Sequence, residues 1–379
     1  MKKYLHPGLR ISTYLVLFPI QTEEYEMALI HDELKVRNSV VKNRIVFPPI
    51  VVFHAEDDGH VVDWHVSHYR KRAEGGCGIV IVEATAVQRK GRLNSSQLGI
   101  WDDECIAGLS RIAKACSDNG VLALIQIHHA GLKATREVTE DRVSASQYGD
   151  GGKSARAMTL EEIGNTKTAF VDAAVRAQKA GFDGVELHGA HAYLLSQFAS
   201  SVVNRRSDHY GGNPENRTRL AKEIITDIRR SVSADFIIGY RMGCNEPDLD
   251  DGIEIARMLE EYGVDLLHIS AGFGGTPEPE APKDFPENWI VWGGTVIRKQ
   301  VKVPVITVNG IRTHEQANWL LDGRSDFVAL ARALLVDPDW PLKAKSGEEI
   351  VTCMECKPRC KWFGDPESCP RFDKAWLPV

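Results

Sequence analysis

Eight short runs of apolar and β-branched residues recur along the chain: "RIVFPP" (44–49), "GIVIVEAT" (78–85), "VLALIQIHH" (121–129), "GVELHG" (184–189), "FIIGYR" (236–241), "DLLHIS" (265–270), "PVITVN" (304–309) and "FVALAR" (327–332). Stretches with helical spacing lie between them. Strands that alternate with helices need crossover connections and so lie parallel in one sheet. Eight such units point to an α/β chain folded as a closed (β/α)8 TIM barrel. The helical stretches carry their own signals: 159–181 opens on a Thr159/Glu162 capping box and stops at Gly181, and 213–232 begins with Asn213 ahead of Pro214. An open doubly wound sheet is the competing arrangement. Against it, no G-x-G-x-x-G turn follows the first run, and polar residues end many runs instead of marking one switch point.

At 379 residues the chain has the length of one barrel with insertions. The expected division is an N-terminal extension over 1–30, the barrel over 31–345 and a cysteine-containing tail over 346–379; Met27 would itself make a natural start for the barrel. Forty-six basic against fifty-two acidic residues give a net charge of -6, with no basic block to follow a phosphate backbone, so nucleic acid is not an expected partner. The early apolar stretch "YLVLFPI" (14–20) is too short to span a bilayer and no small-residue cleavage site follows it, so a membrane is not expected either and a cytoplasmic location is. Segments 130–158 and 271–294 read as long loops of the kind that form lids.

In a barrel of this kind the reactive groups gather at the C-terminal ends of the strands. Here those ends carry Gln126 with His128 and His129 beyond it, then His188 followed by His191 and Tyr193, then Arg241, Asn309-Gly310 and Ala331-Arg332. Gly310 and Arg332, after the last two strands, suit a phosphate, with glycine allowing close backbone approach and arginine a charged fork. Either residue alone is equally well a turn glycine and a surface ion-pair arginine. His188 and His191 are spaced to polarise one carbonyl oxygen as charge develops on it, to bind a metal through neutral nitrogens, or to serve as ordinary hydrogen-bonded polar residues. Tyr193 offers either a proton to a carbanion-like carbon or a packed ring.

"VKNRIVFPPI", "VEATAV", "LIQIHHAG", "GFDGVELHGAHAYLLSQFASSVVNRRSDHYGGNPENRTR", "LLHISAG" and "FVALARALLVDPDWPLK", in this order from about Leu34 to about Lys343, together resemble the Old Yellow Enzyme family of FMN-dependent NAD(P)H oxidoreductases. The resemblance implies that the backbone of Pro48, Pro49, Ile50 and Val51 passes beside the flavin ring and that Ala84 offers its amide to the flavin carbonyl edge. Gln126 would bond the pyrimidine part, and Arg241 would sit near N1 and C2=O. Gly310, Ala331 and Arg332 would hold the FMN phosphate. His188 and His191 would then grip a substrate oxygen while Tyr193 protonates the neighbouring carbon. On this likeness NAD(P)H reduces the flavin, which passes hydride to the β-carbon of an α,β-unsaturated carbonyl-type substrate, both reactants using one face. The implied partners are the nicotinamide and that small molecule, and a homo-oligomer is compatible with the likeness. Val51 stands where many members have threonine or cysteine, Phe53 where one branch has tyrosine, and "ALAR" lacks the glycine usual before the phosphate arginine.

Of eight cysteines, Cys353, Cys356, Cys360 and Cys369 fall within seventeen residues, a clustering that suggests metal binding rather than disulfides. Their C-x2-C-x3-C spacing is similar to that of larger relatives such as dienoyl-CoA reductases, whose cysteines hold a [4Fe–4S] cluster. Lys357 replaces the asparagine usual there, and the step from Cys360 to Cys369 is shorter. Four thiolates suit iron–sulfur or zinc. A cluster here would be structural or would draw electrons from a partner protein. Two other functions are compatible with the residues: a metal-dependent barrel hydrolase or lyase with His188 and His191 as ligands, and a non-catalytic electron-transfer component bearing flavin and iron–sulfur.

Overall fold

The computed structural model describes residues 30–150, 153–363 and 365–373, so residues 1–29 of the expected extension lie outside the described residues. Eight parallel strands close into a barrel: β1 (Ile45–Phe47), β2 (Ile79–Ala86), β3 (Leu122–His128), β4 (Gly184–Gly189), β5 (Ile237–Gly243), β6 (Leu266–Ser270), β7 (Val305–Val308) and β8 (Phe327–Ala329). They pair in chain order, and β8 closes onto β1 through Val328–Ile45. The last run is shorter than its sequence suggests. A helix takes over at Ala331, so Arg332 lies on a helix and not on a strand.

Helices α1 (Asp63–Glu74), α2 (Cys105–Ser117), α3 (Leu160–Ala180), α4 (Arg219–Ser231), α5 (Leu249–Tyr262), α6 (Trp289–Arg298), α7 (His314–Leu321), α8 (Ala331–Val336) and α9 (Trp340–Ser346) surround the strands. In α3, Ile163, Thr166, Phe170, Ala173, Ala174 and Ala177 form the buried stripe. Its capping box is in place, with Thr159 Oγ1 accepting from Glu162 N at 3.2 Å and Glu162 Oε2 from Thr159 N at 2.9 Å. Gly181 ends it at φ 91°, a conformation that would cost another residue about 1–2 kcal/mol. The helix begun at Asn213 breaks at Thr218 into Pro214–Arg217 and α4.

Side chains alternate inward and outward along each strand. Val46, Ile79, Ile81, Leu122, Leu124, Ile237, Leu266, Ile306 and Phe327 fill the lower interior as one apolar cluster. A hairpin of Leu34–Val36 with Ser39–Val41 plugs that end, contributing Val36 and Val41 to the cluster. The outward residues join the main core between strands and helices. Segment 130–158 is not a bare loop: Val143–Ser144, Tyr148–Asp150 and Lys153–Ala157 form a small three-stranded sheet. It lies over the mouth, where Tyr148 meets Phe273 edge-on at 5.9 Å. No helix among the described residues is long and apolar enough to cross a membrane.

Candidate active site

A cavity of about 500 Å³ opens at the C-terminal end of the strands. All thirteen residues expected above to be catalytic or cofactor-binding line it: Pro48 to Val51 on one wall, Ala84 and Gln126 beside them, His188, His191, Tyr193 and Arg241 opposite, and Gly310, Ala331 and Arg332 at one end.

Going up the strands, the inward positions change from apolar to polar. On β3 they run Leu122, Leu124, Gln126, His128; on β4 Gly184, Glu186, His188; on β5 Ile237, Gly239, Arg241; on β6 Leu266, His268, Ser270. Strand register places Gln126 beside Glu186, and Arg241 beside both His188 and His268. Glu186 is the hub of this layer. Its carboxylate accepts from Gln126 Nε2 at 2.7 Å and bonds His268 Nδ1 at 2.9 Å. A carboxylate accepts only, so the Gln126 amide nitrogen faces it and the amide oxygen remains for a ligand donor. Burial lowers the His268 pKa, the Glu186 charge opposing, so the contact is a hydrogen bond to a neutral ring. Glu186, His268 and Ser270 are absent from the residues expected above. The signal for Glu186 and His268 is the same two-residue period, read one step below His188 and Ser270, whereas Ser270 is itself the polar end of its run.

Arg241 is buried, and its Nε has no hydrogen-bond partner among the described residues. Burial lowers its pKa, with the nearby Glu186 charge acting the other way. A buried donor left unpaired costs about 1–3 kcal/mol, so the position favours an anionic or acceptor ligand. Arg241 Nη2 also donates to Ser270 Oγ at 3.4 Å, and Ser270 Oγ lies 2.7 Å from His191 Nε2. The serine hydroxyl has one donor and two acceptor sites, so its bond to Nε2 is compatible with either neutral tautomer of His191. His188 Nδ1 accepts from Ala190 N at 3.4 Å, which places its proton on Nε2. Burial pushes both imidazoles well below the ordinary value; His191 and Arg241 add to the effect at His188, and Arg241 and His268 at His191. Each ring is therefore a neutral N–H donor at pH 7.

The two histidines are brought together by a strained turn. His191 (φ 57°) and Ala192 (φ 61°) are consecutive non-glycine residues in the left-handed region. Gln197 holds the turn, its Nε2 donating to Ala192 O at 2.7 Å and Ala130 O at 3.2 Å, and His191 N donates to Ala271 O at 3.1 Å. The ring centroids of His188 and His191 end 5.1 Å apart and nearly perpendicular. Tyr193 follows directly. Its hydroxyl has no hydrogen-bond partner among the described residues, and burial raises its pKa, the Arg241 charge opposing. No third imidazole, thiol or carboxylate gathers with His188 and His191 within ligand distance; among the described residues only His60, Asp102 and Cys105 form such a group.

A β-bulge shapes the wall facing them. Val82 pairs with Ile125 but Thr85 with Ile127, so β2 holds one extra residue. The bulge turns Ala84 to the cavity and Glu83 outward to α1, where Tyr69 Oη donates to Glu83 Oε1 at 3.1 Å. The other carboxylate oxygen accepts from Val52 N at 3.1 Å, which holds the Pro48–Val51 backbone in place. Burial raises the Glu83 pKa to about 8 and lowers that of His65 to about 3, so their 3.9 Å approach is not an ion pair at neutral pH.

At the far end Asn309 (φ 105°) and Gly310 (φ 80°) turn the chain after β7. Ala331 opens α8 without a left-handed angle, so alanine meets no backbone penalty there. Arg312 and Arg332 flank this end, and Glu355 from the tail pairs closely with Arg312 and lies 3.9 Å from Arg332. Trp362 anchors the tail, buried against Trp64 and His68, and Phe363 reaches the cavity. Cys353, Cys356, Cys360 and Cys369 line one pocket beside Arg332. Burial raises the Cys369 pKa, and the other three thiols add to the effect.

The donor set fits FMN. A buried cation with an unpartnered Nε and an amide acceptor face one part of the cavity, and a glycine turn, a helix start and two arginines stand at its end.

The family model for the NADH:flavin oxidoreductase / NADH oxidase family matches residues 30–350. An NADH oxidase of Thermoanaerobacter brockii is 42% identical over 342 residues, covering 86% of this chain and 52% of the relative. The chain thus spans about half the length of that protein. A solved 2-naphthoyl-CoA reductase in complex with 2-naphthoyl-CoA superposes with a TM-score of 0.82 at 26% identity, over 92% of this chain and 58% of the other. An Old Yellow Enzyme homologue from Zymomonas mobilis gives 0.75 at 27% identity, over 86% of this chain and 95% of the other.

Proposed function

Because the chain belongs to the NADH:flavin oxidoreductase / NADH oxidase family, we propose that it is an FMN-dependent ene-reductase that takes reducing equivalents from NAD(P)H and saturates the double bond of an α,β-unsaturated carbonyl-type compound. The observation that carries this is the unpartnered Nε of Arg241 in one cavity with two neutral imidazoles and an unbonded tyrosine hydroxyl. FMN, when bound, supplies hydride transfer between the nicotinamide and the β-carbon.

The protein's own groups supply the rest. A ring N–H of His191 and the Nε2–H of His188 hold the carbonyl oxygen and stabilise charge as it develops there. Their low pKa values keep them as donors without making them acids that would protonate that oxygen. Tyr193 gives its proton to the α-carbon, a role suited to a phenol that stays protonated at neutral pH. Arg241 stabilises negative charge at the pyrimidine edge of the cofactor, Gln126 accepts from that edge, and Ala84 and the Pro48–Val51 backbone border the ring. Gly310, Ala331 and Arg332 hold the phosphate. Phe53 makes the substrate rim apolar.

The same reading gives the four tail cysteines a [4Fe–4S] cluster, supported by their shared pocket. Iron and sulfide analysis of anaerobically purified protein tests it, and zinc alone would refute it. Anaerobic mixing with NADH or NADPH, then with a panel of enones, tests the main activity. Bleaching by a nicotinamide and reoxidation by an enone are expected; a colourless protein that turns over an ester or amide with a bound metal would support hydrolysis instead.

A further inference from the structure

A second cavity, of about 310 Å³, lies behind the first. The two share a wall made of residues 88–93 and 129–135, joined by Ala130 N to Gly91 O at 2.7 Å and Thr135 N to Leu93 O at 3.0 Å. Leu93 faces the catalytic cavity, whereas Arg89, Lys90 and His129 face the second one. Its other side is the lid segment and the start of α3.

Arg142 stands in this second cavity, 8% exposed. Its Nε is buried without a hydrogen-bond partner, and it forms no ion pair among the described residues. The carboxylates nearby are already committed. Arg156 binds Asp141 at 2.7 and 2.8 Å and Glu162 at 2.6 and 2.8 Å, and Arg89 binds Asp102 at 3.0 Å. Four cations, Arg89, Lys90, Arg142 and Arg156, line the cavity with two carboxylates, Asp141 and Glu162, while Asp102 pairs with Arg89 from outside it, and Arg142 is the buried cation left over. Neutral donors complete the lining. Gly131 N donates to His129 Nδ1 at 3.0 Å, which places the proton of this neutral ring on Nε2, and the Asn165 amide adds its own donors.

A group that satisfies several separated donors around one buried guanidinium needs several acceptor oxygens on a single centre. We propose that this cavity binds a phosphate group, with Arg142 as its anchor. Two sources share that chemistry: inorganic phosphate, and the phosphates of a nicotinamide dinucleotide whose ring is in the catalytic cavity. In either case the bound group ties the lid segment to the wall that carries Leu93.

Calorimetric titration with inorganic phosphate of the full chain in the presence of FMN, which fills the phosphate end of the first cavity, tests this without any flavin turnover, so it stands or falls separately from the proposed reaction. Saturable binding is expected, weakened about tenfold or more in Arg142→Gln, the loss of one charge-assisted contact, and less in Lys90→Gln. A second titration with NADP+ separates the sources. Competition with phosphate, and weaker NADP+ binding in Arg142→Gln, identify the dinucleotide; phosphate binding that leaves NADP+ affinity unchanged identifies the free ion. Lack of phosphate binding to the wild type, or equal binding by wild type and a folded Arg142→Gln protein, would overturn the proposal.

Discussion

The ring of Tyr193 stands edge-on to that of His188, with centroids 4.7 Å apart and planes at 73°. The proton donor and one of the two oxygen-holding imidazoles are thus fixed relative to each other by direct contact. Replacing Tyr193 by phenylalanine keeps the ring contact and removes only the proton. Flavin reduction by the nicotinamide should be unchanged, while reoxidation by an enone slows by about 10²–10⁴-fold. Stopped-flow measurement of both halves checks it, and equal slowing of the two would remove Tyr193 from its role.

Ser270 acts through His191 and not on the substrate. Ser270→Ala leaves His191 without its Nε2 partner, so the balance of the ring's two neutral tautomers should shift, visible in ¹⁵N chemical shifts. The KM for the unsaturated substrate should rise about tenfold, the value of one hydrogen bond to an orienting group, with Ser270→Thr restoring most of it. Unaltered nitrogen shifts in the alanine variant would contradict the relay.

Glu355 places a carboxylate between the two arginines at the phosphate end of the cavity. An incoming phosphate meets its charge. Glu355→Gln should tighten FMN binding several-fold, about 1 kcal/mol for a partly exposed charge, as read by quenching of flavin fluorescence. Weaker binding would mean that Glu355 instead holds the arginines in position.

Glu83 links the bulge in β2 to the backbone at Val52 and carries a pH signature. Its pKa is raised from 4.5 to about 8 by burial, so the folded protein keeps a proton that the unfolded chain releases. Its stabilising share is complete below about pH 4.5 and is lost as pH rises through about 8. Glu246, also raised to about 8, acts in the same direction. The buried histidines act oppositely: their lowered values mean that stability falls as pH drops below 6.5. Thermal melts of Glu83→Gln between about pH 5 and 8 should show a shallower loss of stability than the wild type. Parallel curves would show that Glu83 is ionised in the folded state.

The barrel was legible because its strands are continuous apolar runs separated by capped helices, both local features of the chain. The strand ends gave His188, Arg241 and Gln126 because a polar residue closing an apolar run stands out. Glu186 and His268 did not stand out in the same way, lying inside runs where only strand register shows that they face the axis. The bulge at Val82–Thr85 depends on the pairing of β2 with β3, which no single segment reveals. The lid sheet in 130–158 has strands of two to five residues, too short for an alternation pattern. The place of the tail depends on the seating of Trp362 against Trp64 and His68, a tertiary contact between segments about three hundred residues apart.

The most direct measurement is titration of the full chain with FMN, followed by absorbance and fluorescence, in the wild type and in Arg241→Met and Arg332→Met. One FMN per chain should bind, with affinity reduced in both variants through loss of contacts at opposite ends of the cofactor. A chain that binds no FMN, or binds it equally well without either arginine, would contradict the placement of the flavin in this cavity.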